Sequence, residues 1–206
     1  KKLTIVYFLH AKKFRKMGAD PICIYENRIK EGLDKRNCDM VRELLIEKQP
    51  RNIYLYNRYL ALESDLTHID TIFQLVKKIG IISIETYTEY IRKLVKNKAS
   101  IETIRNIFEE ACSIFNELNA TCVGSYMDAE RILEKDNFEK IEEYYNKRNE
   151  FSNPSPIYFS YFKFLYDLRR FDEAAKVSEE LISLGVTNLS MLQYYLEWKL
   201  KNYKDF

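Results

Sequence analysis

Glycine and proline are scarce, five and four in 206 residues. Tight turns depend on these residues, so a turn-rich all-β protein is excluded. Cysteine is sparse too. Cys23, Cys38, Cys112 and Cys122 form no CxxC pair, and the two histidines, His10 and His68, stand far apart, so no zinc spacing exists. The cysteines are expected to be reduced, buried thiols of an intracellular protein. No P-loop, GxGxxG, HExxH or GxSxG stretch occurs. His68, in the Asp65–Asp70 segment read as a break between helices, and His10 on an N-terminal helix, have no nucleophile or ligand cluster nearby in sequence. No catalytic, cofactor-binding or metal residue is therefore nominated, and neither an enzyme nor a cofactor is expected.

Long apolar runs are also missing. None approaches the ~20 residues of a membrane helix, and the short opening run from Leu3 to Leu9 has no cleavage site after it. Charge of one sign is lacking as well: 33 basic residues face 31 acidic ones, a net +2. A dedicated nucleic-acid binder carries a clearer basic excess. The one local excess, Lys1, Lys2, Lys12, Lys13, Arg15 and Lys16 against Asp20, reads as a solvated helix face. No methionine opens the chain, which reads as a piece of a longer protein.

What is present is Lys, Glu, Leu, Ile and, above all, Tyr. With 46% hydrophobic and 14% aromatic residues, the chain can build a real core, and an all-α fold is expected. Tyrosines recur three residues after an apolar residue at Tyr25, Tyr59, Tyr90, Tyr126, Tyr161 and Tyr195, with spacings of 34, 31, 36, 35 and 34 residues. This is the period of a two-helix repeat. In each repeat a first helix, A, bears the tyrosine, and a second, B, follows a short polar break such as Lys96–Ser100 or Arg169-Arg170. B helices carry stripes at helical spacing: Ile101, Ile104, Phe108 and Ala111, then Ala174, Val177, Leu181 and Leu184.

Such pairs bury both faces only when stacked, so the expectation is an α-solenoid of stacked antiparallel helix pairs. Repeats start near 21, 53, 84, 121, 156 and 189 in one domain covering 1–206. Residues 3–17 read as the B helix of a preceding repeat, and Asn149–Pro156 as an ordinary link. Asp20, Ser83 and Ser155 with Pro156 read as helix starts, and Gly32, Gly80 and Gly185 as helix ends. The register tyrosines are expected to pack between hairpins, whereas the off-register Tyr54 and Tyr203 stay open to a partner. Tyr54, with Arg58 one turn on, is the first to test.

Tyr56-x-x-Tyr59-x-x-Leu62-Glu63 and Ile104-Arg-Asn-Ile-Phe-Glu-Glu-Ala111 resemble the two halves of the HAT (half-a-TPR) repeat. Val123-x-x-Tyr126-x-x-Ala129-Glu130 and Leu192-x-x-Tyr195-x-x-Trp198 fit it less fully. Lys93-Leu94 and Leu165 depart from it where Glu is expected, and Phe171-Asp-Glu-Ala-Ala175 fits the tetratricopeptide or pentatricopeptide classes equally well. Over roughly residues 53–206, repeat lengths and tyrosine placement are similar to the HAT subunits of the cleavage stimulation factors of mRNA 3′-end processing. That resemblance implies a nuclear, homodimeric scaffold with protein partners in an RNA-processing complex, direct RNA contact being secondary. The alternative is a pentatricopeptide-like protein that binds single-stranded RNA directly. The partner-binding residues are not assigned by the sequence.

Overall fold

A computed structural model describes residues 21–115, 117–134, 138–185 and 189–202. The fold is all-α, with eleven α-helices, one 3-10 turn and no strand among the described residues. The helices are α1 (Pro21–Asp34), α2 (Cys38–Lys48), α3 (Ile53–Leu62), α4 (Leu66–Ile79), α5 (Ile84–Lys96), α6 (Ile101–Ile114), α7 (Ala120–Leu133), α8 (Phe138–Asn146), α9 (Ser155–Asp167), α10 (Phe171–Ser183) and α11 (Leu189–Asn202). The helix read at 3–17, His10, the Asp20 cap and Tyr203 lie outside the described residues. No described helix is long and apolar enough to cross a membrane.

Local chemistry sets the helix boundaries. Asn37, Asp65, Ser100 and Asn119 each cap the following helix, their side-chain oxygens accepting from Met40 N–H, from Thr67 and His68 N–H, from Thr103 N–H and from Cys122 N–H. Such caps are worth about 1 kcal/mol each. Ser83 Oγ accepts from Thr86 N–H at 3.3 Å and Ser83 N–H donates to Thr86 Oγ1 at 3.3 Å, a reciprocal cap for α5.

Several expectations need correction. Asp65 starts α4 at once, so His68 stands in its first turn rather than in a break. Helix α9 begins at Ser155 as read, with Pro156 in its first turn, but the cap residue is Pro154 rather than Ser155. Gly80 and Gly185 take positive φ at helix ends, but Gly32 lies inside α1, where an added Cβ would meet Met40 and Val41 of α2. Leu184 is 53% exposed, because α10 ends at Ser183 and leaves it off the stripe. Of the four free cysteines only Cys122 is buried.

The chain forms two compact units that divide between Tyr90 and Ile91. The division falls inside α5 rather than in a linker, and Asn149–Pro156 lies within the second unit. In the first unit α1 packs on α2 and α3, and α2 and α3 both pack on α4. Its core holds Ile29, Val41, Leu45, Leu55, Ile69 and Phe73, all fully buried. In the second, α7 packs on α6, α8 and α9, and α9 on α8 and α10, with α11 on α10. Within a unit, then, helices pack on their sequence neighbours and on the next helix but one.

One core atom stands out. The Tyr56 hydroxyl is buried and has no hydrogen-bond partner among the described residues. Burial pushes its phenol far above the ordinary range. An unpaired buried hydroxyl costs about 1–3 kcal/mol. Tyr56→Phe is therefore expected to stabilise the protein by about 1 kcal/mol, or roughly 2–4 °C in Tm. A lower melting temperature by circular dichroism would contradict this.

Candidate partner-binding surface

The A helices α1, α3, α5, α7, α9 and α11 carry Tyr25, Tyr59, Tyr90, Tyr126, Tyr161 and Tyr195 respectively. Tyr59, Tyr90, Tyr126 and Tyr195 are buried, while Tyr25 and Tyr161 are half-buried. What holds each ring depends on the residue one turn on and on the preceding B helix.

At Tyr59 and Tyr126 that residue is Glu. Tyr59 donates to Glu63 at 2.9 Å, and Glu63 also accepts from Ser64 and Asp65 N–H at 2.7 and 3.0 Å. Arg42 of α2 closes on this carboxylate at 4.0 Å and donates to His68 Nδ1 at 2.6 Å. Burial works against the Glu63 charge, but the two backbone N–H groups and the Tyr59 hydroxyl outweigh it and hold the carboxyl below its ordinary value.

The second knot is tighter. Glu130 is fully buried and accepts both prongs of Arg105 from α6, at 3.0 and 2.8 Å, along with the Tyr126 hydroxyl. Phe108 stacks on Tyr126 at 4.0 Å, and Tyr144 stands edge-on to both. Burial opposes the charge on Glu130, yet Arg105 and Tyr126 depress its carboxyl below the ordinary 4.5. A two-pronged guanidinium–carboxylate bond is among the stronger side-chain contacts.

At Tyr90 and Tyr161 the residue one turn on is Leu, and the partner is an aromatic ring. Phe73 stacks on Tyr90 at 3.9 Å, and Tyr145 stacks on Tyr161 at 3.7 Å. Leu94 and Leu165 are buried beside them. Tyr145 further belongs to a polar group in which Glu180 accepts from Tyr158 at 2.6 Å, Arg148 at 2.7 Å and Tyr145 at 3.1 Å. At Tyr195 the charges are reversed. The acid, Glu179, comes from the B helix and accepts the Tyr195 hydroxyl at 2.7 Å, while Lys199 stands one turn on, 3.6 Å from Glu179.

Sequence reading placed the tyrosines and two of the glutamates but missed Arg42, Arg105, Phe73, Tyr145 and Glu179. The signal available was Arg on the preceding B helix at Tyr59 and Tyr126, where the residue one turn on is Glu, and no Arg in α4 or α8, which precede the tyrosines followed by Leu.

Two kinds of surface remain outside this packing. Tyr54, 57% exposed on α3, stands one turn before Arg58, which pairs with Asp34 of α1 at 2.6 Å. In the second unit a cleft of about 300 Å3 runs across α5, α7 and α9, lined by Arg92, Val95, Asp128, Ile132, Phe159 and Lys163 among others. A larger cleft, about 720 Å3, lies between the α6–α7 connection, α8 and Phe151–Asn153, with Cys112, Tyr144 and Lys147 in its wall. No group of three His, Cys, Asp or Glu that could hold a metal occurs among the described residues. Compared with known proteins, the sequence matches no family model, and no curated protein is similar enough to assign it by likeness.

Proposed function

We propose that this protein is a non-catalytic helical-repeat scaffold for protein–protein assembly in a nuclear RNA-processing complex, the machinery of pre-mRNA 3′-end cleavage and polyadenylation. In this reading the helix pairs stack as an α-solenoid of the HAT kind, and the full-length protein is a homodimer. The observation that carries the reading is the engagement of the register tyrosines. Four of the six are buried, and Tyr59, Tyr90, Tyr126 and Tyr195 hold a carboxylate through their hydroxyls. Tyr161 is stacked on Tyr145. These faces are taken up inside the protein, whereas reading single-stranded RNA calls for open stacking platforms. The near-balanced charge supports the same side.

Affinity purification of the tagged full-length protein from nuclear extract, with identification of what co-purifies, tests the assignment. Cleavage and polyadenylation factors are expected to come down, with a dimeric mass by light scattering. A monomer, or co-purification with an unrelated complex alone, would count against it. Binding of fluorescent oligouridylate with a steep salt slope would instead favour the direct RNA reader.

A further inference from the structure

We propose that the cleft between α6, α7, α8 and Phe151–Asn153 is a docking site for an extended peptide segment carrying a Lys or Arg beside a bulky apolar residue. The inference rests on the scaffold reading and gives it a partner chemistry.

The cleft forms where three helix ends meet. α6 and α8 reach it with their last turns, through Cys112 and Tyr144, and α7 starts from it after Asn119. Tyr144 is held by edge-on contacts with Phe108 and Tyr126, at 5.7 and 5.8 Å between ring centroids, so this wall is firm. Val123, Leu118 and Phe151 add apolar lining, the first buried and the other two half-buried. A volume of about 720 Å3 takes several side chains of an extended segment. At Phe151 the backbone is itself extended, and the main-chain N–H groups of the exposed Ser152 and Asn153 donate to no acceptor among the described residues. They are available to the main chain of a guest.

Charge selects the sign of that guest. Glu117 and Glu150 line the cleft, both exposed, and neither forms an ion pair among the described residues. The one cation in the lining, Lys147, is spent on Glu143 at 2.6 Å, and Glu150 adds to its field from beyond pairing distance. Arg148, the next residue, is spent on Glu180 at 2.7 Å and on the Tyr158 hydroxyl at 2.9 Å. Burial, with Cys112, Glu143 and Glu109 adding to it, pushes the Tyr144 phenol up to about 12, the mark of a negative field. The helix ends agree. α6 and α8 present carbonyl ends, and α7 presents an amino end whose Cys122 N–H is already taken by Asn119 at 2.8 Å. An incoming cation is therefore favoured, and the apolar lining supplies the anchor beside it. A phosphate backbone would meet the same field with the wrong sign, so a peptide is favoured over RNA.

The test uses the full chain and four fluorescent probes in anisotropy titrations. These are a short peptide alternating Lys or Arg with Phe or Leu, its Glu-for-basic counterpart, its Ser-for-apolar counterpart, and oligouridylate. Saturable binding of the first peptide is expected, with both counterparts about tenfold weaker or worse. Cys112 is exposed in the cleft wall and Cys23 is exposed on α1, so alkylation by N-ethylmaleimide locates the bound peptide. Cys112 is expected to lose its reactivity as the peptide saturates, while Cys23 reacts as before. Glu117→Gln with Glu150→Gln is expected to weaken the first peptide about tenfold at an unchanged melting temperature. Equal binding of all three peptides, no saturable binding of the first, binding that leaves Cys112 reactive, or oligouridylate binding in preference would overturn the proposal. The comparison among peptides uses the unaltered protein, so its result stands even if the variant unfolds. Nuclear co-purification that survives without peptide binding would sink the docking site and leave the scaffold reading in place.

Discussion

Glu130→Ala is expected to destabilise the second unit by about 3–5 kcal/mol, the cost of leaving a buried charge without its counter-ion. The substitution removes a fully buried carboxylate that holds both prongs of Arg105 and the Tyr126 hydroxyl. Arg105 is itself largely covered, and Glu102 at 2.7 Å and Glu134 at 3.7 Å satisfy it only in part. Replacing Arg105 by Met together with Glu130 by Leu removes both charges at once. That double variant is expected to recover most of the loss, since a buried ion pair is often worth no more than an apolar pair of similar volume. Urea melts of the single and double variants measure both. A single variant within 1 kcal/mol of the native protein would show the knot to be energetically idle.

The same knot fixes a pH dependence. Glu130 has a lower pKa folded than its ordinary 4.5, so the unfolded chain binds its proton first. Its contribution is complete above that ordinary value and is lost as pH falls through the lower folded one. Acid melts of Glu130→Gln should accordingly be flatter below pH ~4.5 than those of the native protein.

Gly124→Leu is the second large effect, a loss of about 3 kcal/mol from overpacking. Helix propensity argues the other way, since glycine inside a helix costs up to about 1 kcal/mol relative to alanine. Packing decides. A Cβ on residue 124 would stand 2.9 Å from the Pro156 carbonyl oxygen and 3.1 Å from its carbon. These are backbone atoms of the first turn of α9, so no side-chain rotation relieves the contact. Gly124→Ala is expected to lose about 1–2 kcal/mol by the same contact. Thermal melts give the sign directly. A stabilised Gly124→Ala protein would mean that α7 and α9 move apart without penalty.

How much of this was legible in the sequence depends on where a residue's partner lies. The all-α class followed from the scarcity of Gly and Pro, and the polar breaks at Lys96–Ser100 and Arg169-Arg170 stand between helices because local chemistry sets both. Gly32 was read as a helix end because glycine serves two purposes, and only the placement of α2 distinguishes close approach from a left-handed turn. His68 was read as part of a break because the Asp65 cap and the polar first turn of α4 resemble a loop when the helix core beyond them is not in view. In the candidate site, Glu63 and Glu130 were found through the repeat motif, and Leu94 and Leu165 counted as departures from it. Those departures are matched by B helices, α4 and α8, that carry no Arg. The match spans two elements whose register a single sequence does not supply. Tyr54 remains exposed, and the cleft at Tyr144 and Phe151 was not visible at all, because its lining comes from three helices and the segments that join them.

The differing seats of the register tyrosines also bear on how a chain of similarly built helix pairs finds its own order. Misassembly between similar repeats is a characteristic failure of such proteins. Here the hairpins are keyed differently: Glu63 and Glu130 face arginines, whereas Lys199 faces Glu179. Were α11 to take the seat of α7, Lys199 would meet Arg105, cation against cation. Were α7 to take the seat of α11, Glu130 would meet Glu179. A shuffled arrangement thus carries its own electrostatic penalty, and the chain counts its repeats through the mismatches it refuses.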